Sequence, residues 1–287
     1  MISNNGMENR ISLPQAHETA LSPFAGEPFS FRYFYLRSQD TRAYDDPGQD
    51  YLTFAHDDWR FAFCLCDGVS QSFYGDLAAR LLGDRLLEWL WSLPRAGGGD
   101  DSLIAGLTAF LEDLREPATA EVRDYNLPEG IPPMLKDVLE EKRALGSETM
   151  FMSGLIDLPS PGMPEGRIFF AWMGDSRIRA WLHGRETGPA LFSGFEMKQR
   201  WSTARGLVNG PARTCYGPLR EGGSLLFDRF IAYSDGFSLL DDREGHLSEE
   251  QIVKLMTEAS ALPANDDISY LEVILPEGLN HGREAVQ

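Results

Sequence analysis

Cysteine, histidine and positive charge are all scarce in this 287-residue chain. The three cysteines (Cys64, Cys66 and Cys215) make neither a disulfide framework nor a Cys-x-x-Cys redox or zinc motif, and a reducing cytoplasm suits them. None stands five intervening residues before an arginine, which excludes a cysteine-nucleophile phosphate loop. There is no Gly-x-x-x-x-Gly-Lys loop, no Gly-x-Ser-x-Gly elbow and no His-Glu-x-x-His pair. Only 26 Lys+Arg oppose 44 Asp+Glu, for a formal net charge of −18. Such an acidic surface repels a phosphate backbone and argues against nucleic acid as a partner. No apolar run reaches the roughly 18 residues of a membrane span, and residues 1–10 lack the apolar stretch of a secretory signal. The expectation is a cytoplasmic protein without a membrane partner.

The chain does have the material of a core, since apolar residues make up 43% and aromatics 11%. Residues 1–28, rich in Ser, Pro, Asn and Gly, read as a flexible arm, and residues 276–287 as a polar tail. Between them, residues 29–275 read as a single catalytic domain. Residues 29–36 form an aromatic strand, followed by an Asp-rich loop at 38–49. Residues 51–54 and 60–66 make a strand pair, the second apolar on both faces and therefore buried. From Gly75 the period becomes helical, with Leu77, Leu81, Leu82, Leu86, Trp89 and Leu90 on one face. After a break at 95–100, helical patterns run through Leu103–Leu114 and Met134–Leu139. Residues 149–158, 167–173 and 178–183 read as an antiparallel meander. An irregular segment spans 184–223, and a strand covers 225–233. Ser248 with Gln251 forms a capping box that opens a helix to Ser260, and a last strand covers 269–275. Blocks of strands and helices rather than strict alternation favour an α+β class with antiparallel sheet.

The distinctive pattern is an aspartate at the end or start of several strands. Asp50 precedes one strand, Asp67-Gly68 ends the buried one, and Asp175 sits in Gly174-Asp175-Ser176-Arg177. Asp235 follows a strand in Ser234-Asp235-Gly236, and Asp266-Asp267 precedes the last. Each alone is an ordinary turn residue. Brought together they would repel, and divalent cations are the usual compensation, with hard oxygen donors selecting Mg²⁺ or Mn²⁺. Glycine after Asp67 leaves room for a carbonyl to approach such an ion.

In their order, Gln49-Asp50, Asp67-Gly68, Gly75-Asp76-Leu77-Ala78-Ala79, Gly-Asp-Ser-Arg, Ser-Asp-Gly and Asp-Asp-Ile-Ser resemble the motifs of the metal-dependent type 2C serine/threonine protein phosphatases, bacterial type. The resemblance covers nearly the whole chain. It implies two antiparallel sheets packed face to face with helices on both outer sides, a four-layer αββα sandwich. It implies a two-metal centre of Mn²⁺ or Mg²⁺ held by Asp50, Asp67, the Gly68 carbonyl, Asp235 and Asp266, with Asp67 as the bridge. Asp175 corresponds to a weaker third site. Water shared by two such cations would attack a phosphoserine or phosphothreonine in line, with Asp50 and Asp67 catalytic through the metals. The implied partners are phosphorylated proteins and the opposing Ser/Thr kinase.

Three departures stand out. Val69 occupies the place of a histidine proposed as proton donor. The phosphate-gripping arginine has no counterpart just before Asp50, leaving Arg42 and then Arg37 as candidates. Leu239 replaces an acidic residue of the third site. These departures keep two alternatives open: a pseudophosphatase acting as a binding module, and a hydrolase of small phosphoesters. Arg177 is expected to brace its turn through a carboxylate. Residues 184–223, with Trp201, Arg205 and Arg213, take the place of the family's flap, where substrate selection is expected.

Overall fold

The computed structural model describes Met7 and residues 9–95, 100–262 and 265–276. The expected break at 96–99 and the tail from residue 277 lie outside the described residues. The chain opens with strands β1 (Asn9–Ser12), β2 (Thr19–Phe24) and β3 (Ser30–Leu36), then a short helix α1 (Gln39–Ala43). Strands β4 (Tyr51–His56) and β5 (Arg60–Gly68) lead into helices α2 (Gly75–Ser92), α3 (Asp100–Asp113), α4 (Arg115–Asp124) and α5 (Pro133–Leu145). Strands β6 (Glu148–Asp157), β7 (Arg167–Met173), β8 (Arg177–Leu182) and β9 (Arg185–Glu186) follow, then helix α6 (Gly188–Leu191). Next come β10 (Arg200–Ser202), β11 (Gly206–Val208) and β12 (Arg213–Gly217), and the hairpin of β13 (Arg220–Glu221) and β14 (Ser224–Leu225). Strand β15 (Arg229–Tyr233), a 3₁₀ turn at Asp235–Leu240, helix α7 (Glu249–Ser260) and β16 (Ile268–Ile274) complete it.

Two antiparallel sheets result. The first runs β1-β4-β5-β6, and the far edge of β6 is shared between β7, which carries β12, and the β10–β11 hairpin. The second runs β2-β3-β16-β15-β8-β9. Side-chain alternation divides the apolar residues into three layers. Phe54, Phe61, Phe63 and Phe170 of the first sheet meet Phe31, Phe230 and Val273 of the second in the central layer. The rings of Phe63 and Phe230 touch across the sheets at 5.4 Å. On the outside of the first sheet, Cys64, Cys66 and Phe169 pack under Leu82, Leu86 and Leu107 of the helices, so both cysteines are core thiols. On the outside of the second, Phe34, Tyr233 and Tyr270 pack under Ile252 and Leu255 of α7. Helices therefore cover both outer faces, giving the four-layer sandwich. Among the described residues no helix is long and apolar enough to cross a membrane.

Two sequence expectations change. Residues 9–12 and 19–24 of the supposed arm are edge strands, β1 on β4 and β2 on β3. Edge strands bury little, so their polar composition hides them. The expected three-strand meander is also incorrect. Strands β6 and β7 pair, but β8 leaves the first sheet and joins β15 in the second. The Gly-Asp-Ser-Arg turn thus crosses between sheets, which is what brings Asp175 to the edge of the interior. The flap region is partly regular, since β10–β11 and β12 extend the first sheet.

A buried ion cluster fixes the end of the first sheet where β5 begins. Asp157, 1% exposed, accepts from Arg60 Nε at 2.6 Å and from Arg167 Nε at 3.0 Å, tying three adjacent strands. Arg60 Nη1 also donates to the carbonyls of Trp91 and Leu93, closing the C-terminus of α2. Replacing Asp157 by Ala leaves two buried guanidiniums without their carboxylate. The expected loss is about 3–5 kcal/mol in chemical denaturation, whereas Asp57→Ala on the surface should cost under about 1 kcal/mol.

Candidate metal centre

The opposite end of β5 carries the aspartates. Close backbone contact sets their positions. A Cβ on Gly68 would lie 2.4 Å from the Gly75 carbonyl carbon, so the first turn of α2 can sit against the strand end only with glycine there. A Cβ on Gly236 would meet the Asp267 carbonyl oxygen at 2.1 Å, which joins the loop after β15 to the start of β16 in the same way. Asp67 lies opposite Met150 on β6, and its carbonyl accepts from Thr149 Oγ1 at 2.8 Å. Asp50 stands beside it, because Gly68 N donates to Gln49 O at 3.2 Å and Tyr51 pairs with Cys66.

Carboxylate oxygens of Asp67, Asp175 and Asp235 lie within 4.8 Å of one another. They come from the end of β5, the β7–β8 crossing and the end of β15, segments brought together only by the sandwich. The carboxylates of Asp50 and Asp266 stand outside this trio and add their field to it. Asp266 is exposed, and its Oδ1 accepts from the Asp267 amide at 2.8 Å. Asp267 is buried with both oxygens committed: it accepts from Ser38 N at 2.6 Å and from Gln49 N. It therefore latches β16 to the segment before β4, leaving Asp266 as the member of the pair with a carboxylate facing outward.

The electrostatics are those of like charges held in a dry place. Burial, then the charges of Asp235, Asp266 and Asp175, push the Asp67 carboxyl well above the usual range. Burial and then Asp67 do the same to Asp50, partly offset by the Ser234 hydroxyl. Asp235 is pushed up to about 6 by burial and by Asp266 and Asp175. Buried oxygens Asp50 Oδ2 and Asp175 Oδ1 have no hydrogen-bond partner. Orphaned, convergent carboxylate oxygens are the donor set of a hard divalent cation, so the residues present fit Mg²⁺ or Mn²⁺.

The cations proposed from sequence stand apart from this cluster. Arg37 is buried and donates to Glu18 Oε1 at 2.9 Å and to the Asp46 carbonyl at 3.0 Å. Arg42 is exposed on α1, its Nε donating to the Ser38 carbonyl at 3.3 Å. Arg177 does not brace its turn through a carboxylate. Its guanidinium lies over the Phe195 ring at 5.4 Å, Nη1 is buried without a partner, and its charge lowers the Asp235 pKa. Val69 donates its amide to the Glu148 carbonyl, and Leu239 packs against the outer core. Sequence reading missed Ser234, although its place directly before Asp235 was a usable signal. It also missed Glu148, which lies buried at the start of β6.

Metal-free protein should be least stable where these carboxyls ionise. Their folded pKa values lie above the unfolded ones, so the native chain binds more protons than the unfolded chain from about pH 4 to pH 6, and stability falls as pH rises through that window. For Asp235 alone the effect is about 3 kcal/mol, or some 6 °C or more in melting temperature for a chain of this size. In chelator, the melting temperature is expected to fall between pH 5 and pH 7.5. Asp67→Asn should raise it at pH 7.5. A flat profile, unchanged by the substitution, would show the carboxylates to be independent.

No family model matches the chain, and no curated protein matches it. Solved structures do. The serine/threonine phosphatase Stp1 from Staphylococcus aureus superposes with a TM-score of 0.56 at 14% identity, over 85% of this chain and 94% of that one. The serine-threonine phosphatase 2C from Toxoplasma gondii gives 0.52 at 14% identity, over 93% and 99%. A bacterial serine phosphatase gives 0.54 at 13% identity, over 85% and 97%. At such identities the likeness is one of architecture, and the chain has the fold of the type 2C serine/threonine phosphatases.

Proposed function

We propose that this chain is a Mn²⁺- or Mg²⁺-dependent phosphatase acting on phosphoserine and phosphothreonine in proteins, opposing a Ser/Thr kinase. One observation carries the reading: the buried, mutually repelling trio of Asp67, Asp175 and Asp235, flanked by the orphaned oxygen of Asp50. In it Asp50, Asp67 and the Gly68 carbonyl hold one cation, and Asp67, Asp235 and Asp266 hold the other. Asp175 with Asp235 is the place for a third. When bound, the cations supply an activated water and charge neutralisation for the phosphoryl group.

The remaining work falls to the protein. Asp267 fixes the loop before β4, and so the position of Asp50, by spending its oxygens on the Ser38 and Gln49 amides. The Ser234 hydroxyl accepts from the Ser269 amide at 2.9 Å, holding the ends of β15 and β16, and hence Asp235 and Asp266, in one register. No cysteine can serve as nucleophile: Cys64 and Cys66 are fully buried in the core, where desolvation pushes both thiols up.

The test compares a phosphothreonine peptide and an aryl phosphate with Mn²⁺, with chelator and with Asp67→Asn. Turnover of both should require metal and fall to background in the variant. Metal binding without turnover would support the binding-module reading favoured by Val69, and turnover of the aryl ester alone would support a small-phosphoester hydrolase.

A further inference from the structure

Glu148 has no role in the scheme above, yet it sits beside its centre. The register sets Asp67 opposite Met150 and Gly68 opposite Thr149. Glu148 is therefore the diagonal neighbour of Asp67 on the same face, with Cα atoms about 7–8 Å apart. Its main chain pins the loop after Gly68: its carbonyl accepts from Val69 N at 2.9 Å and its amide donates to Ser72 Oγ at 3.0 Å. Its carboxylate does something else. One oxygen accepts from Arg200 Nε and the other from Arg205 Nη2. A buried carboxylate thus holds two guanidiniums at the rim of the aspartate cluster.

The two arginines differ in what they have left to give. Arg200 lies on β10 with 27% of its side chain exposed, against 57% for Arg205 in the β10–β11 turn. Arg205 spends one of its five N–H donors on Glu148, and no other side-chain hydrogen bond engages it among the described residues. Its platform is firm. Thr203 N donates to the Ser147 carbonyl at 2.9 Å, Ser147 N donates to Thr203 Oγ1 at 3.0 Å, and buried Trp201 donates its Nε1 to the Leu111 carbonyl at 3.0 Å. Arg37 offers no such group, being closed by Glu18 and the Asp46 carbonyl.

We propose that Arg205 is the phosphate-binding arginine of this chain and that Glu148 is the residue that positions it. This rests on the metal-dependent phosphatase reading. A planar guanidinium with a free edge suits two phosphoryl oxygens, and fixing it beforehand through Glu148 lowers the ordering cost of the contact. The phosphate specificity lost with the usual arginine before Asp50 is thereby supplied from the opposite side of the cluster, by the hairpin that extends β6.

Inorganic phosphate is the probe. Its binding to the Mn²⁺-loaded protein is measured by calorimetry, alongside kcat and KM for an aryl phosphate, Mn²⁺ affinity and melting temperature. Arg205→Ala should weaken phosphate binding and raise KM by about tenfold or more, the effect of losing a hydrogen bond to a charged group. Mn²⁺ affinity should be unchanged and the melting temperature should stay within about 2 °C, as for a surface substitution. Arg205→Lys should recover part of the loss. Glu148→Gln should weaken phosphate binding in the same direction. Arg213→Ala removes the same charge from a neighbouring residue paired with Glu196 and should change neither quantity. Wild-type phosphate binding and KM in Arg205→Ala overturn the proposal, as does a loss that merely follows Mn²⁺ affinity or melting temperature. A wild-type protein that binds no Mn²⁺ overturns the metal reading and this one with it. One that binds Mn²⁺ and turns over, with Arg205→Ala indistinguishable from it, overturns this one alone.

Discussion

Carboxylates repel one another most where water is excluded, and this sandwich gathers several of them at one end of its interior. Asp67, Asp175 and Asp235 approach within 4.8 Å although burial and mutual charge disfavour their ionised forms. Nothing local holds them together. The segments that carry them are far apart in sequence and meet because two sheets pack through a layer of phenylalanine. Apolar burial, a large and non-directional contribution, offsets the repulsion that the metal-free cluster generates.

The fold distributes this task among few contacts. The glycine pair Gly68 and Gly75 lets helix and strand meet without side chains between them. Asp267 gives up any outward role to bind two amides of the segment before β4. The β7–β8 turn carries Asp175 from one sheet to the other. At the far end the Asp157 cluster with Arg60 and Arg167 shows the contrasting solution, in which a buried carboxylate is matched by protein cations. The difference between the two ends is chemical: one charge cluster is neutralised internally, and the other exposes orphaned oxygens to an outside partner.

Much of this was legible in the sequence because the signals were local. Continuous apolar residues at 60–66 marked a buried strand, a leucine face marked α2, and Ser248 with Gln251 marked the start of α7, whose capping box forms. The aspartates were visible as strand-end residues. What stayed hidden was non-local. A short turn between two apolar runs looks the same whether the strands pair or separate into different sheets, so β8 was misassigned. The edge strands β1 and β2 bury too little to show a clear period. Arg177 looked like a partner for a carboxylate, but its neighbours in space are Phe195 and Asp235, which no sequence spacing reveals. Glu148 read as part of a strand approach. Its importance follows from register with Asp67, a property of paired strands that a single strand does not display.

The central claim is that these aspartates form one coupled site that divalent cations complete. Carboxyls with raised pKa values must shed protons when a cation binds. Titration calorimetry with Mn²⁺ at pH 6, in buffers of differing ionisation enthalpy, counts those protons directly. The account predicts binding with net proton release, with both lost or sharply reduced in Asp67→Asn. Absence of Mn²⁺ binding, or binding without proton release and indifferent to Asp67→Asn, would contradict it.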